Sequence, residues 1–332
     1  MRKFLSRLSL FTLGLFGGMV ALYAIIDPFM VIRRYDDYFN SGNIRSCPND
    51  AFRAIRLMDQ FADSLSYNSF IVGSSRSQFY YVDDWKQHLK DDAVCFHFNQ
   101  SADNILSTIQ KVNYLYKRFD RIDNLLLIMD HESLSYVSPE RGPLRITPYQ
   151  VTNYKNFLVF HWDFFRAFYT LKFWTDKRLK EPGLYNPQYN EHYLPKEDLA
   201  IENNSENYYE SLADYAKLYP RENVELIGEP VISSKRRKLL EDFASLLNNH
   251  NETDYRIIIS PLYDQVKLNP TDSLILVQCF GGDRVYDFSG KNEFTDNILN
   301  YYENSHYRPC LCSQILDKVY ETPVLERCSS TP

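Results

Sequence analysis

Ser69-Phe70-Ile71-Val72-Gly73-Ser74-Ser75-Arg76 carries a β-rich run straight into a glycine–serine turn. A short apolar run bounded by a turn signal reads as a strand, and the glycine lets the next residues lift a hydroxyl clear of the sheet. Working outward, Val94-Cys95-Phe96-His97-Phe98 reads as a second strand and Asn124 to Met129 as a third. Between them, Ile105, Ile109, Val112, Leu115 and Tyr116 repeat at helical spacing up to Phe119. Arg256-Ile257-Ile258-Ile259-Ser260, entering Pro261-Leu262-Tyr263, and Val285-Tyr286-Asp287-Phe288 read as later strands. Short apolar strands alternating with helical segments predict an α/β fold, a parallel sheet flanked by helices. Ligands of such sheets bind beyond the carboxyl ends of the strands. Ser75, Ser101, Asp130 and Tyr263 each follow such an end, with Arg76 beside the first, so the sequence expects them on one rim.

Near the C-terminus, Glu303-Asn304-Ser305-His306-Tyr307 puts a carboxylate one helical turn before a histidine. Ser75, His306 and Glu303 then offer a nucleophile, a base and an orienter, the groups a serine hydrolase or acyltransferase needs. Each motif also has a plainer reading. Ser75 or Ser74 can simply cap a helix, and His306 can be a hydrogen-bonded surface histidine. Asp130-His131-Glu132 invites a metal, but consecutive residues at a strand end rarely converge on one ion. His161-Trp162-Asp163 sits in an aromatic segment and reads as packing.

The order and content of these motifs resemble the SGNH (GDSL-type) hydrolase superfamily, whose first block is Gly-Asp-Ser and whose last is Asp-x-x-His. Gly73-Ser74-Ser75 matches the first, with Ser75 as the nucleophile, and Glu303-x-x-His306 matches the last. Tyr286-Asp287-Phe288-Ser289-Gly290 through His306-Tyr307-Arg308-Pro309 is similar to the C-terminal block of membrane-anchored, DltD-like bacterial members. The resemblance spans roughly residues 66–320 and implies a flavodoxin-like, three-layer SGNH domain. Ser74 and Glu303 stand where those two blocks carry aspartate, and the second and third blocks depart as well. Ser101 stands where the second block carries glycine, and Asp130-His131-Glu132 follows the third strand where Gly-x-Asn-Asp is usual. A negative Asp130 in the oxyanion hole would oppose the developing charge, so Ser101, Asn99 and His131 become the candidate donors. No cofactor is implied. The anchored relatives often work beside membrane-bound O-acyltransferases, so such a partner is implied too.

Leu8 to Ile26 is a nineteen-residue uncharged run with Arg2, Lys3 and Arg7 before it and Asp27-Pro28 after it. That length spans a hydrocarbon core of about 30 Å. Basic residues on the N-terminal side predict a single-pass anchor, N-terminus cytoplasmic and the remainder extracytoplasmic; the resemblance implies that the membrane is a bacterial inner membrane. A cleaved signal peptide is the competing reading, but Ala21-Leu22-Tyr23-Ala24 has the wrong spacing for its cleavage site. The net charge of −6 and the lack of a basic stripe beyond Lys235-Arg236-Arg237-Lys238, read as a helix start, exclude nucleic acid as a partner. The 26 Tyr and 22 Phe suit core packing first and a carbohydrate- or lipid-facing surface second. Six cysteines show no Cys-x-x-Cys pair, so a metal site is not expected, while a bridge from Cys310 or Cys312 to Cys328 or Cys279 stays open.

The chain therefore divides into a cytoplasmic tip and anchor (1–27), a juxtamembrane segment (28–65) and an SGNH-like domain (66–325) interrupted at about 140–235. Within 28–65, Pro48-Asn49-Asp50 opens a helix with Ala51, Phe52, Ile55, Leu57 and Met58 on its apolar face. Within the interruption, Tyr154 to Trp174 reads as an aromatic helix and Pro182 to Asn207 as a long polar loop, together a lid over the rim. Two functions fit. One is an envelope serine esterase or O-acyltransferase acting on an acyl ester of a glycan or cell-wall polymer. The other is a non-catalytic scaffold of the same fold that binds a glycan or a membrane O-acyltransferase partner.

Overall fold

The computed structural model describes residues 1–39, 47–62, 64–175, 184–212, 221 and 224–321. It is an α/β protein with a parallel five-stranded sheet, helices on both faces and one long apolar helix at the N-terminus. The strands are β1 (Ser69–Gly73), β2 (Cys95–Asn99), β3 (Asn124–Met129), β4 (Leu184–Asn186), β5 (Glu191–Tyr193), β6 (Leu226–Ile227), β7 (Asp254–Ile259), β8 (Val266–Lys267) and β9 (Val285–Asp287). The main sheet runs in the order β2-β1-β3-β7-β9, while β4 pairs with β5 and β6 with β8. The chain moves from β1 outward to β2 and then crosses back to β3. That reversal opens a crevice between the carboxyl ends of β1 and β3, where open parallel sheets bind their ligands.

The helices are α1 (Arg2–Ile26), α2 (Asp50–Phe61), α3 (Val82–Lys86), α4 (Ile105–Arg118), α5 (His131–Ser135), α6 (Phe157–Phe168), α7 (Leu171–Thr175), α8 (Pro195–Ser211), α9 (Ser234–Asn248), α10 (Pro270–Phe280), α11 (Glu293–Asp296) and α12 (Pro309–Val319). Alternate strand residues enter opposite layers. Phe70, Val72, Phe96, Phe98, Leu125 and Leu127 join a core with α2, α4, α9 and α10. Ile71, Leu126, Ile128 and Ile258 join a second core with α3 and α12. Burial on both faces explains why the strands read as unbroken apolar runs. Each such side chain stabilises the fold by about 1.5–3 kcal/mol relative to exposure.

Local chemistry sets the helix starts. Asn49 caps α2 by accepting from the Phe52 N–H, and Asn104 forms a reciprocal box with Ser107 at the head of α4. The expected apolar face of α2 is buried throughout.

The interruption differs from expectation in two ways. Leu184 to Asn207 is not a loop: it forms the β4–β5 hairpin and the start of α8, while residues 182 and 183 lie outside the described residues. Pro195 opens α8, and Arg308 holds it through Asp198 and Glu202, more than a hundred residues away in sequence. Nor is the aromatic helix a lid. Phe160 stacks on Phe52 of α2, Phe164 meets Phe29, and Phe165 meets Phe16 of α1. Those rings pack against α1 and α2, and no residue of the helix lines the cleft that holds Ser75 and His306. Cys47, Cys95, Cys279 and Cys312 are free thiols, Cys310 is disulfide-bonded, and Cys328 lies outside the described residues.

Candidate active site

The turn after β1 is built for close approach. A Cβ at Gly73 would sit 2.7 Å from the Ile128 carbonyl oxygen and 3.0 Å from the Ser77 Cβ, so only glycine lets β1 pass β3 at this height. The chain then enters a 3-10 turn over Ser75–Phe79. Ser74 takes the capping role: its Oγ accepts from the Arg76 N–H at 3.3 Å, and its carbonyl accepts from the Ser77 hydroxyl at 2.7 Å. That leaves the Ser75 hydroxyl for the cleft, where its Oγ lies 2.8 Å from the His306 Nε2.

The histidine comes from a pinned loop and not from a helix. An antiparallel bridge joins Tyr301 to Tyr307, the Tyr302 N–H donates to the His306 carbonyl at 2.9 Å, and the Arg308 N–H donates to Asn300 at 2.7 Å. At its tip the Glu303 carboxylate receives the His306 Nδ1 on one oxygen and the Ser305 N–H at 2.7 Å on the other. The edge of the ring meets Phe79 at 5.9 Å between centroids. A carboxylate on Nδ1 fixes the tautomer that leaves Nε2 free to accept the Ser75 proton. Burial alone would raise the Glu303 carboxyl, but the His306 hydrogen bond and charge, the Ser305 N–H and Arg76 together hold it below the usual value. Glu303 therefore stays ionised beside the imidazole.

Arg76 links the two halves of the site. Its Nε donates to the Ser305 carbonyl at 3.1 Å, one terminal nitrogen meets Asp130 at 2.6 Å and the other meets Glu132 at 2.9 Å. Asp130 is buried, and its second oxygen caps α5 by accepting from the Ser133 N–H at 2.8 Å. Asp130 is therefore not a bare negative charge on the rim: Arg76 balances its carboxylate, and the other oxygen is committed to a helix cap. Below the floor, Lys111 is fully buried and donates to the carbonyls of Gly73 at 3.2 Å and Phe98 at 2.8 Å, and to Asp103 at 2.6 Å. Burial pushes the Lys111 ammonium down and the Asp103 carboxyl up, while their pairing works against both shifts. The lysine ties the ends of β1 and β2 together directly beneath the Ser75 turn.

Ser75 and His306 open onto a cleft of about 790 Å³. Arg76, Ser101 and Asp130 line it as well, and Ser101 donates to Asp50 at 3.1 Å. Three expected residues are not among those lining it. Asn99 is buried at the end of β2, where its amide oxygen accepts from Asn190 at 3.3 Å. His131 opens α5. Tyr263 is buried against Tyr301, with the Arg221 guanidinium 4.1 Å from its ring centre. Among the described residues, no group of three or more His, Cys, Asp or Glu is placed to hold a metal ion.

Sequence reasoning missed one wall, made by Asp50 and Arg53 of α2 with Tyr185 and His192 of the hairpin. Arg53 is buried beside the stacked rings of Phe39 and Tyr185, at 4.9 and 4.6 Å from their centres, and bonds to Asp50 at 2.8 Å. Burial lowers His192 to about 4, so its ring is neutral near pH 7. No local pattern marks this wall, because the contacts that bring α2 to the hairpin, such as Arg53 with Tyr185 and Asn190, lie far apart in sequence. A scan against models of known protein families finds none that matches the chain, and a search of curated proteins likewise returns no match.

Proposed function

We propose that the chain is a membrane-anchored serine esterase or O-acyltransferase of the SGNH type, acting outside the bacterial inner membrane on an acyl ester of a glycan or cell-wall polymer. The observation that carries the proposal is the Ser75–His306–Glu303 line, with hydroxyl, imidazole and carboxylate in hydrogen-bonded succession. Ser75 attacks the ester carbonyl while His306 takes its proton, and Glu303 steadies the resulting imidazolium. His306 then protonates the departing alkoxide, leaving an acyl group on Ser75. Water or an acceptor hydroxyl, deprotonated by His306, resolves that intermediate. Oxyanion donors would come from the backbone N–H groups of Ser75 and Ser101, the cleft residues that follow β1 and β2.

The anchored, N-in topology is supported by the uncharged Leu8–Ile26 run of α1 with basic residues in its first turns, and by the packing of Phe16 and Tyr23 on α6, which a cleaved leader would abandon. A membrane-bound O-acyltransferase partner fits the same topology. One observation favours the scaffold reading: Asp130, at the third-block position, is fully committed to Arg76 and Ser133 and offers no donor to an oxyanion.

Labelling the full-length protein with a fluorophosphonate probe separates the two readings. The enzyme reading expects covalent labelling and hydrolysis of an activated acyl ester, both lost in Ser75→Ala with the fold retained. His306→Ala should lose about as much, since members of such a set fail together. Absence of labelling and of ester hydrolysis in the intact protein leaves the scaffold.

A further inference from the structure

α1 does not stand apart from the domain. Its Asp27 adopts a left-handed cap, is fully buried, and accepts the N–H groups of Val31, Ile32 and Arg33 and the Tyr35 hydroxyl. Phe29, Met30 and Val31 then enter the main core. The exit from the helix is therefore fixed, and the contacts between α1 and α6 become a ruler. Phe165 meets Phe16 at 5.8 Å and Tyr23 at 5.7 Å, Phe168 meets Tyr23 at 5.9 Å, and the Tyr169 hydroxyl donates to the Met19 carbonyl at 2.6 Å. Phe16 lies ten residues before the helix end at Ile26, about 15 Å along the axis at 1.5 Å per residue. The hydrocarbon core is only about 30 Å thick. A helix that touches α1 at that level meets it inside the bilayer and not above it.

The outer face of α6–α7 matches such a position. Leu158 is 77% exposed, Leu171 78%, Trp162 45% and Trp174 48%, with Phe157 and Val159 also exposed. Leu158, Trp162 and Arg166 follow one another at four-residue spacing on one side of α6, and Lys155 precedes them. The acid of this helix, Asp163, turns inward to Arg141 and to the Gly142 N–H. Tryptophan with exposed basic residues and no outward carboxylate is the composition of a helix lying in the lipid interface. The face is also continuous with the lipid-facing surface of α1, only 6% of whose most apolar stretch is buried.

We propose that α6 and α7 form a second membrane-embedded element, seated in the leaflet on the domain side of α1 with acyl chains and headgroups as the occupant of their exposed face. The proposal rests on α1 as the membrane span. It makes the anchor a two-point seat, so that the cleft wall built by Asp50 and Arg53 of α2, which carries the stacked Phe52–Phe160 pair, is held at a set height over the bilayer.

The chain has three tryptophans, and the third, Trp85, is fully buried in the core beside α12, which gives an internal control. The full-length protein is reconstituted into phosphatidylcholine vesicles brominated at successive acyl positions, floated on a gradient, and its tryptophan emission read. We expect flotation and a loss of roughly half the emission, largest for bromines about 5–10 Å below the headgroups. Trp162→Phe/Trp174→Phe, which keeps aromatic packing at both places, should float equally and lose little. Flotation with no quenching beyond that of the double variant overturns the seat while leaving the α1 anchor intact, and points to a protein partner on this face. Failure to float overturns both.

Discussion

Asp130→Asn tests whether Arg76 acts as the brace of the site. The substitution keeps an amide oxygen for the Ser133 N–H cap but replaces the carboxylate oxygen 2.6 Å from Arg76 with a second donor or a neutral acceptor. Arg76 has 11% of its side chain exposed, so it would keep a charge with little water to solvate it. Removing one partner of a buried pair costs about 3–5 kcal/mol. Glu132 remains as a partner, but its side chain is 64% exposed, and such a contact compensates by no more than about 1 kcal/mol. The expected loss is therefore about 3 kcal/mol for Asp130→Asn, against about 0–1 kcal/mol for Glu132→Gln. Urea titration of the full-length protein in detergent reads it as a lower midpoint at unchanged slope. Because Arg76 also holds the Ser305 carbonyl between Glu303 and His306, ester hydrolysis should fall at least about tenfold, equivalent to about 1.4 kcal/mol in the barrier. A variant within about 0.5 kcal/mol of the parent, the scatter of surface substitutions, would refute the brace. So would a faster variant, which would mean that the carboxylate had been opposing an oxyanion after all.

Three further outcomes follow from the same geometry. Lys111→Met leaves Asp103 buried and unpaired and should cost about 3–5 kcal/mol, while adding Asp103→Leu should recover part of it; a double variant no more stable than the single would argue against the pair as the source of the loss. Burial raises the Glu191 carboxyl to about 7, so the folded protein holds a proton that the unfolded chain releases near 4.5. Stability should thus fall by about 3 kcal/mol as pH rises from about 4.5 to about 7, and Glu191→Gln should flatten that part of the profile of denaturation midpoints. Gly73→Ala drives a Cβ against the Ile128 carbonyl and should cost about 1–3 kcal/mol, together with loss of fluorophosphonate labelling as the Ser75 turn is displaced; unchanged labelling would show that the turn can yield without moving the hydroxyl.

The sheet was legible because its signals are local. An apolar run such as Ser69–Gly73 buries both faces and ends in a turn whose glycine is dictated by the neighbouring strand. The periodic face of α2, the capping residues Asn49 and Asn104, and the uncharged Leu8–Ile26 run of α1 are likewise written within a few residues of where they act. The juxtaposition of Ser75, Glu303 and His306 could be expected for another reason: few residue types can supply a nucleophile, a base and an orienter, and that narrows the choice. What needed the fold was everything set by partners far along the chain. Tertiary contacts with Arg308 made a helix of a polar stretch that looks like a loop, and aromatic contacts with α1 and α2 turned an expected lid into a companion of the long apolar N-terminal helix. The neutralisation of Asp130 by Arg76 spans 54 residues, and the Arg76 contact with Ser305 spans 229. Charge pairing depends on which groups are brought together out of water, and that is decided by the packing of the whole domain and not by the residues on either side.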